Sequence, residues 1–174
     1  MSASTTVETQ APSILYLDYD GPLHPYSVYQ TSTGPELRAD GQLFMHAHVL
    51  EQTLNAFQQS VHIILATNWV VLLGFDEARA RLPTSLQQRV AGATWEPGLE
   101  EYDAITWRRL PRYEQIARHT QRHGICHWLA IDDDNDCWPD DQMKHLVLCD
   151  RMKGLGLPDA VADLKQKLHQ LSYK

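Results

Sequence analysis

The run Ile14-Leu15-Tyr16-Leu17-Asp18-Tyr19-Asp20-Gly21-Pro22-Leu23 restricts this chain more than any other segment. Its apolar part reads as a strand buried on both faces, the kind found in parallel sheets. It stops abruptly at two carboxylates two residues apart. Side chains alternate along an extended chain, so Asp18 and Asp20 can address one pocket if extension continues past the strand end. Gly21 then allows a sharp turn. The carbonyl ends of parallel strands are where open α/β sheets bind ligands. Two acids there suit a nucleophile with a proton carrier, or a shared metal.

The remainder of the sequence supplies partners for that strand. Further apolar runs at 61–66, 90–94, 128–131 and 146–149 predict four more strands. Helical periodicity falls between them. A helix near 45–60 carries Val49, Leu50, Leu54 and Phe57 on one face. Another begins near Pro111, with Tyr113, Ile116 and Ala117 inward and Arg112, Arg118 and Arg122 outward. A last helix begins near Pro158 and buries Val161, Leu164, Leu168 and Leu171. Strands alternating with helices imply an α/β fold: a parallel sheet of about five strands with helices on both faces. Residues 24–42, with two prolines and two glycines, read as a loop bordering the Asp18/Asp20 site. Residues 1–11 are polar, lack the apolar core of a signal peptide, and read as a disordered tail before a single domain at 12–174.

Composition excludes several classes. Apolar residues at 43% and charged residues at 21% fit a globular protein with a real core. No apolar run approaches the roughly 20 residues a membrane span needs. The net charge of −7 argues against nonspecific coating of nucleic acid. Three cysteines, Cys126, Cys137 and Cys149, form no CxxC pair, which points to free thiols in a reducing compartment, the cytoplasm.

Two more polar stations follow buried runs. Residues 61–66 lead into Thr67-Asn68-Trp69, and a helix follows. A hydroxyl and free backbone N–H groups there suit phosphate oxygens, though Thr67 taken by itself reads first as a helix cap. Residues 128–131 lead into Asp132-Asp133-Asp134-Asn135-Asp136, which offers an oxygen cage for a hard cation or simply an acidic turn. An EF-hand loop counted from Asp132 would need glycine at Cys137 and glutamate at Met143, so that reading fails. In a parallel sheet the three strand ends share one edge. Carboxylates gathered there raise one another's pKa, and a divalent cation such as Mg²⁺ relieves the repulsion.

In these motifs the sequence resembles the haloacid dehalogenase (HAD) superfamily. Leu17-Asp18-Tyr19-Asp20-Gly21-Pro22-Leu23 is similar to its first motif, Ala66-Thr67-Asn68-Trp69 to its second and Ala130-Ile131-Asp132-Asp133 to its fourth. Within it, His24-Pro25 after the first motif, Trp69, and Trp138 after Asp134 resemble the small HAD domain of Swiss Army Knife RNA-repair proteins. The resemblance implies a HAD-like Rossmannoid fold without a large cap domain. It implies a Mg²⁺-dependent phosphomonoesterase in which Asp18 attacks phosphorus, Asp20 carries the proton and Thr67 holds a phosphoryl oxygen. It implies Mg²⁺ on Asp18, the Asp20 backbone carbonyl, Asp132 and Asp133. Beside these, Asn68, Arg109 next to Trp107, and His24 are the candidates to face a phosphorylated substrate, such as an RNA or DNA end, with a loop histidine of no role as the other reading of His24. The family's third motif is usually a lysine, and none occurs from Gly92 to Trp128. Arg108, Arg109 and Arg112 are the candidates, and Arg112 has the expected position. It either grips the phosphate or lies on the surface, and the second case goes with a Mg²⁺- or phosphate-holding module without turnover.

Other residues carry weaker readings. His119, His123 and His127 are spaced by four and the first two share a helix face, but no cysteine or carboxylate completes a convincing metal site, so they read as a solvated helix end before Gly124. Trp95, Trp107 and Trp138 read as packing residues, with base stacking as the alternative. Lys153-Gly154-Leu155-Gly156 reads as a turn.

Overall fold

The alternation of side chains decides the architecture. Along the first strand Leu15 and Leu17 point one way and Tyr16 the other, and all three are buried. A strand with two apolar faces needs a covering layer on each, and the chain supplies both. The computed structural model describes residues 12–57, 60–98 and 102–172. It contains seven strands: β1 Ser13–Leu17, β2 Val28–Thr31, β3 Gly34–Leu37, β4 Val61–Leu65, β5 Val90–Ala93, β6 Trp128–Asp132 and β7 Leu146–Leu148. Five of them pair in parallel in the order β5-β4-β1-β6-β7. The helices are α1 Ala47–Asn55, α2 Asn68–Leu73, α3 Phe75–Ala80, α4 Thr84–Gln87, α5 Ala104–Arg109, α6 Arg112–His123 and α7 Pro158–Ser172.

One sheet face carries the larger core. Leu15, Leu17, Ile63, Leu65, Leu129 and Ile131 meet Leu50 and Leu54 of α1 and Leu164 and Leu168 of α7 there. Each fully buried leucine contributes about 2 kcal/mol. The opposite face carries Tyr16, Ile64, Ala130 and Leu146, covered by Ile116 of α6 and by Trp138. The expected α/β fold is therefore the observed one, with strand ends within a residue or so of those predicted.

Three expectations change, and the turn expected at 153–156 is present. Residues 24–42 are not wholly loop, because β2 and β3 form an antiparallel hairpin within them. Val28-Tyr29-Gln30-Thr31 has strand-forming side chains, and Pro35 is tolerated because a two-stranded ribbon has only edges. The helix expected at 45–60 is shorter, Ala47–Asn55. The segment after Thr67 forms three short helices rather than one. Gly154–Gly156 is a turn of 3₁₀ helix that packs against the Gly21-Pro22 backbone, where Leu155 N–H donates to Pro22 O at 3.0 Å. A side chain at position 154 would collide with the carbonyl oxygens of Gly21 and Pro22. The tail expected at 1–11 lies outside the described residues.

Register brings the polar stations together. Leu17 of β1 pairs with Leu65 of β4 and Ile131 of β6. Asp18, Thr67 and Asp132 therefore emerge along one sheet edge, with β1 between its two neighbours. The strand order turns back at β1, the place where open α/β sheets make their ligand crevice.

Candidate active site

Asp18 leaves β1 with its backbone N–H on Ile131 O at 3.1 Å. Its Oδ1 accepts the Tyr19 N–H at 2.8 Å. Asp132 ends β6, and its Oδ1 accepts the Asp134 N–H at 3.0 Å. Both carboxylates are almost wholly buried. Burial pushes the pKa of each upward, and the nearby Arg112 guanidinium opposes that shift. Asp133 is pushed up to about 7, by burial first and by Asp132 next. Carboxylate oxygens of Asp18, Asp132 and Asp133 lie within 4.8 Å of one another. This all-oxygen donor set, short of cations, fits a hard divalent ion such as Mg²⁺. Gly21 (φ +91°) makes room for the Asp133 side chain, which a Cβ there would overlap.

Arg112 lies in this cluster and does not point outward. Its Nε is 3.1 Å from Asp132 Oδ2 and its Nη2 is 3.4 Å from Asp18 Oδ1. The helical-face expectation fails because Arg112 is the first residue of α6. Side chains tilt toward a helix's N-terminus, so the first one projects off the end, here over the sheet edge. Its Nη1 donates to Gln115 Oε1 at 2.7 Å. Buried Gln115 in turn donates Nε2 to Trp107 O at 2.9 Å, which ties the guanidinium to α5. Gln115 was not foreseen. Its only signal is a position three residues after Arg112 on the same helix. Arg151 was also not foreseen. Its Nε is 3.4 Å from Asp133 Oδ2.

Asp20 sits beside the cluster in a different environment. Its Oδ1 faces His24 Nε2 at 2.9 Å and accepts the Trp69 indole N–H at 3.0 Å. His24 Nδ1 accepts the Phe44 backbone N–H at 3.1 Å, so the ring hydrogen belongs on Nε2 and donates to Asp20. Two donors occupy Oδ1, which leaves Oδ2 as the oxygen able to carry a proton. His24, expected to face substrate, does not line the cleft over Asp18: it is wholly buried, packed against Phe44 and Trp69 with both nitrogens engaged.

Thr67 caps α2, its Oγ1 accepting the Trp69 N–H at 3.4 Å. Its hydroxyl hydrogen is still able to donate. A cleft of about 360 Å³ opens over Asp18, Arg112 and Asp132, with Asn68, Arg108 and Arg109 in its walls. Arg109 is at the exposed rim. The Oδ1 of Asn68 is buried and has no hydrogen-bond partner among the described residues. Trp107 and Trp138 are buried, so packing is their role and base stacking is excluded.

Residues 14–160 match the family described as the HAD domain in Swiss Army Knife RNA repair proteins. The chain belongs to this family. The match spans β1 to the start of α7, so it takes in all three strand-end stations and Arg112. No curated protein matches the chain. Among the described residues no helix is long and apolar enough to cross a membrane.

Proposed function

We propose that the chain is a phosphomonoesterase that works through an aspartyl-phosphate on Asp18. The observation that carries this reading is the convergence of Asp18, Asp132 and Arg112 at the edge where β1 and β6 end. In the first half of the reaction an Asp18 oxygen forms a bond to phosphorus. The bond from phosphorus to the leaving oxygen breaks, and Asp20 Oδ2 gives that oxygen its proton. In the second half Asp20 takes a proton from water as the water oxygen bonds to phosphorus. The bond to Asp18 then breaks and orthophosphate departs.

The other residues hold charge and position. Arg112 compensates the buried Asp18 carboxylate and offers N–H groups to phosphoryl oxygens, the task the family's lysine performs. The Thr67 hydroxyl donates to another of those oxygens, and Asn68 borders the same space. His24 and Trp69 hold Asp20 so that one oxygen is left to move protons. Asp18, Asp132, Asp133 and the Asp20 carbonyl would hold Mg²⁺, which when bound neutralises charge on the phosphoryl group.

The substrate we infer is large, a phosphorylated RNA or DNA end. The support is Arg108 and Arg109 at the rim, the absence of any inserted lid beyond the β2–β3 hairpin among the described residues, and the family's description. The reduced cysteines fit a cytoplasmic setting.

The test is phosphate release from sugar phosphates, nucleotides and oligonucleotides phosphorylated at either end, with Mg²⁺ and with chelator. Release should require Mg²⁺, favour oligonucleotide ends and vanish in Asp18→Asn. Undiminished turnover in Asp18→Asn would remove the mechanism. Mg²⁺ binding with no release from any substrate would instead mark a holding module.

A further inference from the structure

A second group of metal-ligating side chains forms where α6 passes the loop that leaves β5. His119 and His123 are one helical turn apart, with ring centroids separated by 4.3 Å. Glu96 reaches them from that loop. Its Oε1 is 3.7 Å from His119 Nε2 and 3.3 Å from His123 Nε2. Ligand atoms of all three lie within 4.8 Å of one another. Both gaps exceed the usual 2.7–3.2 Å of an N–H···O hydrogen bond. They lie close to the edge of a tetrahedron with zinc-type bonds, about 3.4 Å.

The surroundings suit ligation by imidazole. His119 is buried, and its Nδ1 is 2.8 Å from the Tyr16 hydroxyl. When Nδ1–H donates to that oxygen, the Nε2 lone pair is left free. This is how metal-bound histidines are commonly held. Burial first, and then His123 and Arg122, lower the His119 pKa to about 3, so the ring is neutral and able to ligate. Arg122 opposes a cation here, and the Glu96 carboxylate offsets it. Glu96 and His123 are partly exposed, which provides an entry path and a place for a water ligand.

We propose that Glu96, His119 and His123 form a three-ligand site for a zinc-class divalent ion. The nitrogen-rich donor set selects against Mg²⁺, which favours the all-oxygen cluster. The ion would pin the loop after β5 to the helix that begins at Arg112. It would also brace Tyr16, two residues before Asp18. Its role is structural and is independent of the phosphohydrolase reading.

Cobalt(II) is the probe, because four-coordinate Co²⁺ absorbs visible light far more strongly than the octahedral ion. The full chain, with excess Mg²⁺ on the carboxylates, should develop intense bands that saturate at one equivalent and bleach when Zn²⁺ is added. His123→Ala and Glu96→Gln should lose the bands, while Asp132→Asn keeps them. Zn²⁺ should raise the Tm of the parent and not of His123→Ala. A Mg²⁺-induced Tm shift retained in His123→Ala would show that this variant is folded. Absence of bands in the folded parent would overturn the site. So would bands that persist in both ligand variants, or bands that Asp132→Asn abolishes.

Discussion

The two faces of the sheet are built differently. The face under α1 and α7 is apolar almost throughout, with leucine meeting leucine. The face under α6 is narrower and contains buried polar groups: Tyr16 bound to His119, and Gln115 bound to two backbone carbonyls and to Arg112. A wholly apolar layer can be disturbed at one point and repacked, at a cost set by lost contacts. A polar layer fixes directions as well as distances, because each donor needs its acceptor. The chain thus draws stability mainly from one face and fixes the direction of Arg112 from the other.

The largest stability effect should come from the apolar face. Leu164→Ala removes a fully buried side chain from the α7 layer and should cost about 3 kcal/mol in a denaturant melt. Phosphate release per folded molecule should not change. Gln115→Ala should cost less, about 2 kcal/mol, since it strands the carbonyls of Trp107 and Leu110. It should also slow phosphate release, because Arg112 loses the partner that fixes its guanidinium. If the leucine variant slowed turnover more than the glutamine variant, the division between faces would be wrong.

A smaller effect is expected at Asp20. Trp69→Phe keeps an aromatic ring against Tyr19 and Phe44 but deletes the indole N–H on Asp20 Oδ1 and part of the ring volume. Turnover should fall by roughly tenfold with little change in substrate binding. A rise in KM alone would place Trp69 against substrate instead.

The apolar layer was legible because runs such as 61–65 and 128–132 are periodic and local. Asp18, Thr67 and Asp132 were legible for a related reason. Parallel topology brings strand ends to one edge, whatever fills the space between. What the sequence hid depends on contacts across space. Glu96 is far in sequence from His119 and His123, so the pair read as a solvated helix end, whereas His119 is buried. His24 read as a loop residue free to meet substrate, yet Phe44 and Trp69 close over it. Arg112 was legible as the substitute for the missing lysine, but a helical wheel turns it outward, because a wheel has no place for a side chain that leaves over the helix end. The β2–β3 hairpin was masked by the prolines and glycine that usually mark loops.

The smallest shift runs opposite to the others. Asp18, Asp132 and Asp133 share a buried cluster with one buried cation, Arg112, and one exposed one, Arg151. Their folded-state pKa values lie above the unfolded ones, with Asp133 at about 7. Such groups favour folding while protonated, and that contribution is lost as pH rises through the raised values. The metal-free protein should therefore lose stability between about pH 4 and pH 8. Asp18→Asn removes one of the three charges and leaves Arg112 its partner Asp132. In chelator at pH 8 it should be more stable than the parent by about 1 kcal/mol, and the gain should vanish below pH 4. Added Mg²⁺ should reverse the order at pH 8 by restoring the parent more than the variant. Thermal melts across that pH range, with chelator and with Mg²⁺, would measure it. A variant less stable than the parent in chelator would mean that the pairing of Asp18 with Arg112 outweighs the repulsion among the carboxylates.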